Sequence, residues 1–288
     1  MILNKSQQNK REIDLVVISD THLGTYGCQA TELYRYLKSI NPKKIILNGD
    51  IIDIWQFSKN YWPESHMKVL KKIISWITEG KEVVYVTGNH DEMLRKFAGL
   101  RFNNFSIVNK TIFNFNQSQK AWIFHGDVFD VTMKHSKWLA KLGGKGYDLL
   151  IIINSLVNWI SVKLGKGKLS LSKKIKNSVK SAVKFINDFE EIAIKLGAEK
   201  NYSHVICGHI HQPIIKTARV KNKKIIYMNS GDWVENLSAL EFVNGTWSLH
   251  FHDSTKNLSN IDEVDELKDL ESALLYENLL KEFKLNVV

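Results

Sequence analysis

The chain has 288 residues, 44% of them hydrophobic and 24% charged, with a formal net charge of +10. That length can bury one large core, with or without an insertion, and the composition excludes a disordered, collagen-like or disulfide-stapled chain. Fourteen lysines, five acids and no arginine fall within 133–200, so nine of the ten net charges sit in one segment; a uniformly basic nucleic-acid binder would spread them more widely, and no nucleic-acid partner is expected.

The first thirteen residues are polar and charged and lack the apolar core of a secretory signal, so a cytoplasmic location is expected. Residues 14–19 predict a strand that ends in Asp20-Thr21-His22-Leu23-Gly24. Cys28 and Cys207 are too far apart in sequence for a disulfide framework; each reads as a small buried hydrophobe in a reducing compartment. Residues 31–40 have helical spacing, with Leu33, Tyr36, Leu37 and Ile40 on one face, and Pro42 stops the helix. Residues 44–48 predict a second strand, ending in Gly49-Asp50 with Asp53 three residues on. A second helix over 66–78 aligns Val69, Leu70, Ile73, Ile74 and Ile77, and Gly80 closes it. The unbroken apolar run 83–86 suits a strand buried on both faces, and it leads into Gly88-Asn89-His90-Asp91. Three more strands follow the same plan: 121–124 into His125-Gly126-Asp127, 204–207 into Gly208-His209-Ile210-His211, and 224–228 into Asn229-Ser230-Gly231-Asp232-Trp233.

Two segments stand apart. Residues 133–200 include an apolar stretch, 149–164, interrupted by Asn154, Ser155, Asn158, Ser161 and Lys163, too short and too polar to span a bilayer. A lysine-rich helix is predicted over 172–196, so the segment reads as a basic helical insertion. Residues 261–283 read as an acidic amphipathic helix with Val264, Leu267, Leu270, Leu274 and Leu275 on its apolar face. The expected organisation is a core of 1–132 and 201–255, an insertion at 133–200 and a C-terminal helical tail at 256–288. Strand–helix alternation early and strand-rich sequence later predict a layered α/β domain, two sheets with helices outside.

The strand ends carry the chemistry: Asp20, His22, Asp50, Asn89, His125, His209 and His211 are oxygen or nitrogen donors, and none is a thiolate. They exceed one tetrahedral zinc site and suffice for two divalent ions if one carboxylate bridges. Mixed O/N ligation suits Mn²⁺, Fe or Zn²⁺ better than Ca²⁺ or Mg²⁺. Two cations about 3.5–4 Å apart can polarise a phosphoryl oxygen and deprotonate a water between them. Gly49, Gly88, Gly126 and Gly208 let the backbone turn sharply after each strand. His66, His135, His204, His250 and His252 have no such setting and read as ordinary core or surface histidines.

Asp20-Thr21-His22, Gly49-Asp50-Ile51-Ile52-Asp53, Gly88-Asn89-His90-Asp91, His125-Gly126-Asp127 and Gly208-His209-Ile210-His211, in this order, resemble the five signatures of calcineurin-like metallophosphoesterases, over residues 14 to about 252 without the insertion. The resemblance implies a four-layer α/β fold, a β-sandwich of two mixed sheets flanked by helices, with a dinuclear centre at one rim. It assigns Asp20, His22, Asp50 and His211 to a first metal ion. Asp50 bridges, and Asn89, His125 and His209 complete the second, with Mn²⁺ the expected ion and Fe or Zn²⁺ the alternatives. His90, Asp53 and Asp91 form the catalytic set: His90 protonates the leaving oxygen or stabilises the transferring phosphoryl group, while Asp53 and Asp91 orient ligands. A histidine beside a dication and a carboxylate can hold a proton near neutral pH.

A narrower resemblance lies in Gly49-Asp50-Ile51-Ile52-Asp53-Ile54-Trp55, in His125-Gly126-Asp127-Val128-Phe129-Asp130 and in the stretch 229–235. These resemble the UDP-2,3-diacylglucosamine hydrolase branch, which cleaves a pyrophosphate to a lipid monophosphate and UMP in lipid A synthesis. That branch carries a helical lid where 133–200 stands here. The resemblance implies a nucleotide-linked lipid substrate and peripheral contact with an anionic membrane at its cytoplasmic face, lysines meeting head groups and Trp138, Leu156, Val157 and Trp159 meeting acyl chains. Lipid A enzymes of the branch have arginine where His90 stands, which leaves the metal chemistry intact and the substrate open. The alternatives are a soluble phosphodiesterase or phosphatase acting on nucleotides or phosphoproteins, and a non-catalytic scaffold, which would have shed donors that this chain retains.

Overall fold

A computed structural model describes residues 10–56, 61–115, 119–130 and 172–254, with 172–181 as backbone only. The apolar stretch 149–164, His135 and the predicted tail helix 261–283 lie outside these residues. By its contacts the chain divides into a unit of 1–250 and a second of 251–288, of which 251–254 are described.

The elements in chain order are β1 (Arg11–Ile18), α1 (Ala30–Ser39), β2 (Ile40–Asn48), α2 (Glu64–Thr78), β3 (Glu82–Val86), β4 (Arg101–Phe102), β5 (Phe105–Val108), β6 (Thr111–Asn114), β7 (Lys120–Ile123), α3 (Ser172–Glu199), β8 (His204–Cys207), β9 (Ile214–Val220), β10 (Lys223–Asn229), β11 (Ser238–Val243) and β12 (Thr246–Phe251). One sheet has the order β12-β11-β1-β2-β3-β5-β4 and the other β6-β7-β8-β10-β9. In the first, β1, β2, β3 and β5 run parallel; in the second, β7, β8 and β10 do. Antiparallel strands flank both parallel centres, so both sheets are mixed.

The alternation of side chains along a strand builds the layers. Val16, Ile18, Ile45, Leu47, Val83 and Tyr85 point outward and pack with Leu33, Leu37, Val69, Ile73 and Trp76 of α1 and α2. Their neighbours Leu15, Val17, Ile46, Val84 and Val86 point inward and meet Ala121, Ile123, Ile206 and Met228 of the second sheet. On that sheet's far face, Trp122, Phe124, Val205, Cys207, Ile225 and Tyr227 pack against Phe189, Ala193, Ile194 and Ala198 of α3. The order is helix, sheet, sheet, helix, as the resemblance implies. Strands covered on both faces must be apolar throughout, which is why the runs at 83–86 and 204–207 show no polar alternation.

Three details differ from the sequence reading. Pro42 does stop α1, yet it lies inside β2, which begins at Ile40 rather than at 44. The ladder from β2 to β3 starts only at Lys44, so Pro42 sits where β2 is still an edge. Residues 185–198 were expected within the insertion, but Phe185, Phe189, Ala193, Ile194 and Ala198 supply part of the core. The strand-end glycines Gly88 and Gly208 also lack the positive φ of a sharp turn. As expected, α2 closes on Gly80 at φ +83°, the N–H groups of Gly80 and Lys81 donating back to the carbonyls of Ile77 and Trp76. Cys28 and Cys207 are not joined by a disulfide. Among the described residues no helix is long and apolar enough to cross a membrane.

Parallel centres bring strand carboxyl ends to one edge of each sheet, and hydrogen bonds join the two edges. Asn48 Nδ2 donates to the Phe124 carbonyl (3.2 Å), and the Trp233 N–H to the Asp20 carbonyl (3.0 Å).

Candidate metal centre

Five of the strand-end donors hold a left-handed backbone: Asp20 (φ 52°), His22 (49°), Asp50 (55°), His209 (67°) and His211 (51°). Each costs on the order of 1 kcal/mol, so their concentration at one rim marks a site where geometry outweighs local preference. Hydrogen bonds between loops hold them there. The Asp20 N–H donates to the Gly49 carbonyl (3.1 Å) and the His22 N–H to that of Asp50 (3.0 Å). The His209 N–H donates to the Asp20 carboxylate (3.0 Å to Oδ2).

The side chains meet in three groups, in each of which donor atoms lie within 4.8 Å of one another: Asp20, His22 and His211; Asp50, His125 and His209; and His22, Asp53 and His90. In the first, Asp20 Oδ1 is 3.1 Å from His211 Nε2, which is 3.4 Å from His22 Nε2. In the second, Asp50 Oδ2 is 3.1 Å from His125 Nε2. In the third, Asp53 Oδ2 stands 3.1 Å from His22 Nδ1 and 2.8 Å from His90 Nδ1. Asp53 therefore orients a candidate ligand and the candidate acid together.

Among the described residues, three buried polar atoms of the strand-end loops have no hydrogen-bond partner: Asn89 Oδ1, His90 Nδ1 and His125 Nε2. Nδ1–H of His125 donates to the Asn48 carbonyl (2.9 Å), and Nε2 faces the Asp50 carboxylate, where, against burial, Asp50 and Asp20 favour a proton on the ring. A divalent ion between the two groups would take the place of that proton. Nitrogen and oxygen bound to one ion at about 2.0–2.2 Å would stand roughly 3 Å apart. The donor set and its unpartnered atoms fit divalent ions.

The electrostatics agree. Asp20, Asp50 and Asp53 are buried, which by itself favours their protonated forms. For Asp50 burial is outweighed by His125, and for Asp53 by His22 and His90, so both carboxyls stay well below the usual range. Burial disfavours a charged His211, but Asp20 beside it raises its pKa to about 9. His90 is raised in the same way, against burial, by Asp53 and Asp50. His66 and His204 lack an acidic neighbour, and burial takes each down to about 4, the behaviour of ordinary core histidines. The rim thus concentrates negative charge that attracts cations.

Asp91 differs from its expected place in the catalytic set. It is fully buried, its Oδ1 accepting the Gly88 N–H (2.6 Å) and its Oδ2 the Ile51 N–H (3.0 Å) and the Tyr85 hydroxyl (2.6 Å). With both oxygens engaged it clamps the Asp50 loop to the Asn89 loop and faces no reacting group. Asp127 pairs with Arg95 and is not among the donors.

A family model described as calcineurin-like phosphoesterase matches residues 13–213, which contain every donor named above. The chain belongs to the calcineurin-like phosphoesterase family. Membership makes it a phosphoesterase and implies divalent metal ions, which the clusters fit. This phosphoesterase is 22% identical over 241 residues to UDP-2,3-diacylglucosamine hydrolase of Aliivibrio fischeri (strain MJ11), covering 82% of this chain and 97% of the relative. Among solved structures it is similar to an archaeal phosphodiesterase, at 14% identity, 82% and 98% coverage of the two chains and a TM-score of 0.39. It is also similar to vacuolar protein sorting 29 of Cryptosporidium parvum, at 10% identity, 83% and 96% coverage and a TM-score of 0.37. Neither of these two likenesses bears on its chemistry.

Several groups that position the donors of this phosphoesterase carry no donor signature in sequence. Asn229 Nδ2 donates to the Gly208 carbonyl (2.7 Å), and Asn236 Nδ2 to that of His211 (3.0 Å). Asp232 Oδ1 accepts the N–H groups of Val234 (2.8 Å) and Glu235 (2.6 Å). The stretch 229–235, noticeable in sequence only by resemblance, therefore braces the loop of His209 and His211.

The strand-end glycines serve two purposes rather than one. Gly49 has a positive φ of 82°, as a sharp turn requires, but Gly88 and Gly208 do not. A Cβ on Gly88 would lie 2.2 Å from Asp50 Oδ1, and one on Gly208 2.5 Å from Asp20 Oδ2. These two are glycines so that the carboxylates can lie against the backbone. Gly208→Ala is expected to displace Asp20 and weaken Mn²⁺ binding roughly tenfold or more, with the fold retained. Titration calorimetry with a thermal melt checks this; unchanged affinity would mean that Asp20 moves without cost.

Proposed function

We propose that this phosphoesterase is a two-metal phosphohydrolase that cleaves the pyrophosphate of a nucleotide-linked lipid such as UDP-2,3-diacylglucosamine. The observation that carries the reading is the pairing of two donor groups, Asp20 with His22 and His211, and Asp50 with His125 and His209, with His90 set beside Asp53 at their edge. Asp20, His22 and His211 would hold one ion; Asn89, His125 and His209 the other; Asp50 would reach both. We assign Mn²⁺, with Fe and Zn²⁺ as the alternatives such donors accept. A bound pair supplies Lewis-acid charge at the phosphoryl oxygens and makes water more acidic.

The chain's own residues do the rest. Asp53, 2.8 Å from His90 Nδ1, stabilises the protonated ring and leaves Nε2 to deliver a proton to the leaving oxygen. The His90 N–H donates to Asp50 Oδ1 (2.9 Å), which ties the loop of the acid to the shared carboxylate. Asp91 keeps those loops in register.

The substrate is supported by the Aliivibrio fischeri relative and by the lysines of 133–200, which suit anionic head groups, with Trp138, Leu156, Val157 and Trp159 suited to acyl chains. On this reading the core is 1–132 and 201–255 together with the sheet-packed half of α3, the part of 133–200 ahead of that half contacts the inner face of the cytoplasmic membrane, and 256–288 is a helical tail. A second reading, a soluble phosphodiesterase or phosphatase, is favoured by His90 standing where lipid A enzymes of the resembled branch carry arginine.

One assay separates the two. The full chain with Mn²⁺ is given UDP-2,3-diacylglucosamine in detergent micelles and, separately, a water-soluble nucleotide diester. We expect UMP and a lipid monophosphate from the first, lost with EDTA and restored by Mn²⁺. Hydrolysis of the soluble diester with the lipid left intact would overturn the lipid reading and keep the metal chemistry.

A further inference from the structure

His209 differs from its neighbours in the nitrogen it commits to the protein. His22 turns Nδ1 toward Asp53 (3.1 Å) and His125 donates Nδ1–H to the Asn48 carbonyl (2.9 Å), so each keeps Nε2 for the cluster. His209 instead places Nε2 3.0 Å from Asp130 Oδ1. An ionised carboxylate only accepts, so this contact puts the hydrogen on Nε2 and the lone pair on Nδ1. We propose that Asp130 is a positioning residue of the second cation site: it holds His209 in the Nε2–H tautomer and so presents Nδ1 to an ion shared with Asp50 and His125.

The surroundings explain why a single carboxylate can set the ring. The His209 backbone is fixed in the left-handed region (φ 67°), with its N–H on the Asp20 carboxylate. The imidazole lies edge-on to that of His125, ring centres 5.2 Å apart, and is flanked by Phe189 at 6.1 Å. Van der Waals walls restrain the ring but cannot choose its tautomer; a hydrogen-bond acceptor can. Asp130 is itself held in place. It follows a 3₁₀ turn, Asp127–Phe129, whose Phe129 ring is buried against Phe124 and Phe189. The Asp130 N–H donates to the Asp127 carbonyl (3.0 Å). That turn sends Asp127 to Arg95 and Asp130 to His209. The side chains of His209 and Asp130 are 11% and 22% exposed, so the contact is largely shielded from water. Its value lies in orientation, the usual job of a carboxylate behind a metal-binding histidine.

This inference rests on the two-metal reading, and its test separates the two. Metal-stripped full-length wild type, Asp130→Ala and Asp130→Asn are titrated with Mn²⁺ in a calorimeter, with thermal melts as folding controls. We expect two ions in wild type. Asp130→Ala should bind one ion as wild type does and the other roughly 10–100-fold more weakly. Asp130→Asn should recover most of that loss, because its amide oxygen still accepts Nε2–H. In long-range ¹H–¹⁵N spectra of the metal-free protein, with His209→Gln for assignment, His209 should be the Nε2–H tautomer in wild type and mixed in Asp130→Ala, a change that a merely structural role would not cause. Wild-type binding of both ions by Asp130→Ala would overturn the role of Asp130 alone, as would equal weakening in both variants. A wild type that binds no ion would overturn the two-metal reading and this inference with it.

Discussion

Asp50→Ala should lose cation binding and phosphoester hydrolysis together while remaining folded. His90, His125 and His209 converge on this carboxylate. Oδ1 accepts the His90 N–H (2.9 Å), and Oδ2 lies 3.1 Å from the unpartnered Nε2 of His125. It is also close enough to Asp20 to oppose that residue's ionisation. Alanine removes the charge that both ions would share, so the loss of affinity should exceed the roughly 100-fold expected when only an orienting partner is lost. The fold should survive because Asp50 lies at the rim, outside the apolar layers, even though the His90 N–H loses its acceptor and the left-handed backbone costs alanine about 1 kcal/mol. Metal content after dialysis, turnover and a thermal melt read the three effects. Retained turnover in a metal-depleted Asp50→Ala would refute the bridging role.

His90→Ala should do the opposite: keep both ions and slow turnover by roughly 10²–10⁴-fold. The ring contacts Asp53 through Nδ1, and it is the backbone N–H that reaches Asp50, so no ligand is lost with the side chain. The loss should depend on the leaving group. A nitrophenolate leaves without a proton, whereas an alkoxide leaves better with one. The variant should therefore be least impaired on an aryl phosphodiester. Equal impairment on both substrates would remove the proton-donor role, and a fall in metal content would make His90 a ligand.

Much of this centre was legible in sequence for a simple reason. Apolar runs ending in glycine and a donor specify both a buried strand and the side chain at its carboxyl edge. Asp20, His22, Asp50, Asn89, His125, His209 and His211 could be gathered from that rule before any coordinates. Other features depend on which pieces meet, and no local pattern reports that. The antiparallel strands were visible only as strand-rich sequence, since β9 alternates between exposed and half-buried positions and owes its place to pairing with β10. The helical spacing of α3 was legible, but not that Phe189 and Ala193 face the second sheet. Gly88 and Gly208 suggested turns; their real constraint, a carboxylate from another loop, lies far away in sequence. Asp127 and Asp130 are equivalent acids on paper, and only the turn between them sends one to Arg95 and the other to His209. Asp91 looked like a neighbour of the chemistry because it follows His90, but its carboxylate serves two backbone N–H groups and a tyrosine.

The central claim is that loops from both sheets meet to hold a pair of cations with Asp50 between them. Crystals grown with Mn²⁺ and measured at the manganese absorption edge test it most directly. The account predicts two anomalous peaks, one among Asp20, His22 and His211 and the other among Asn89, His125 and His209, with Asp50 touching both. Peaks ligated by other residues, or no peak at this rim, would contradict it.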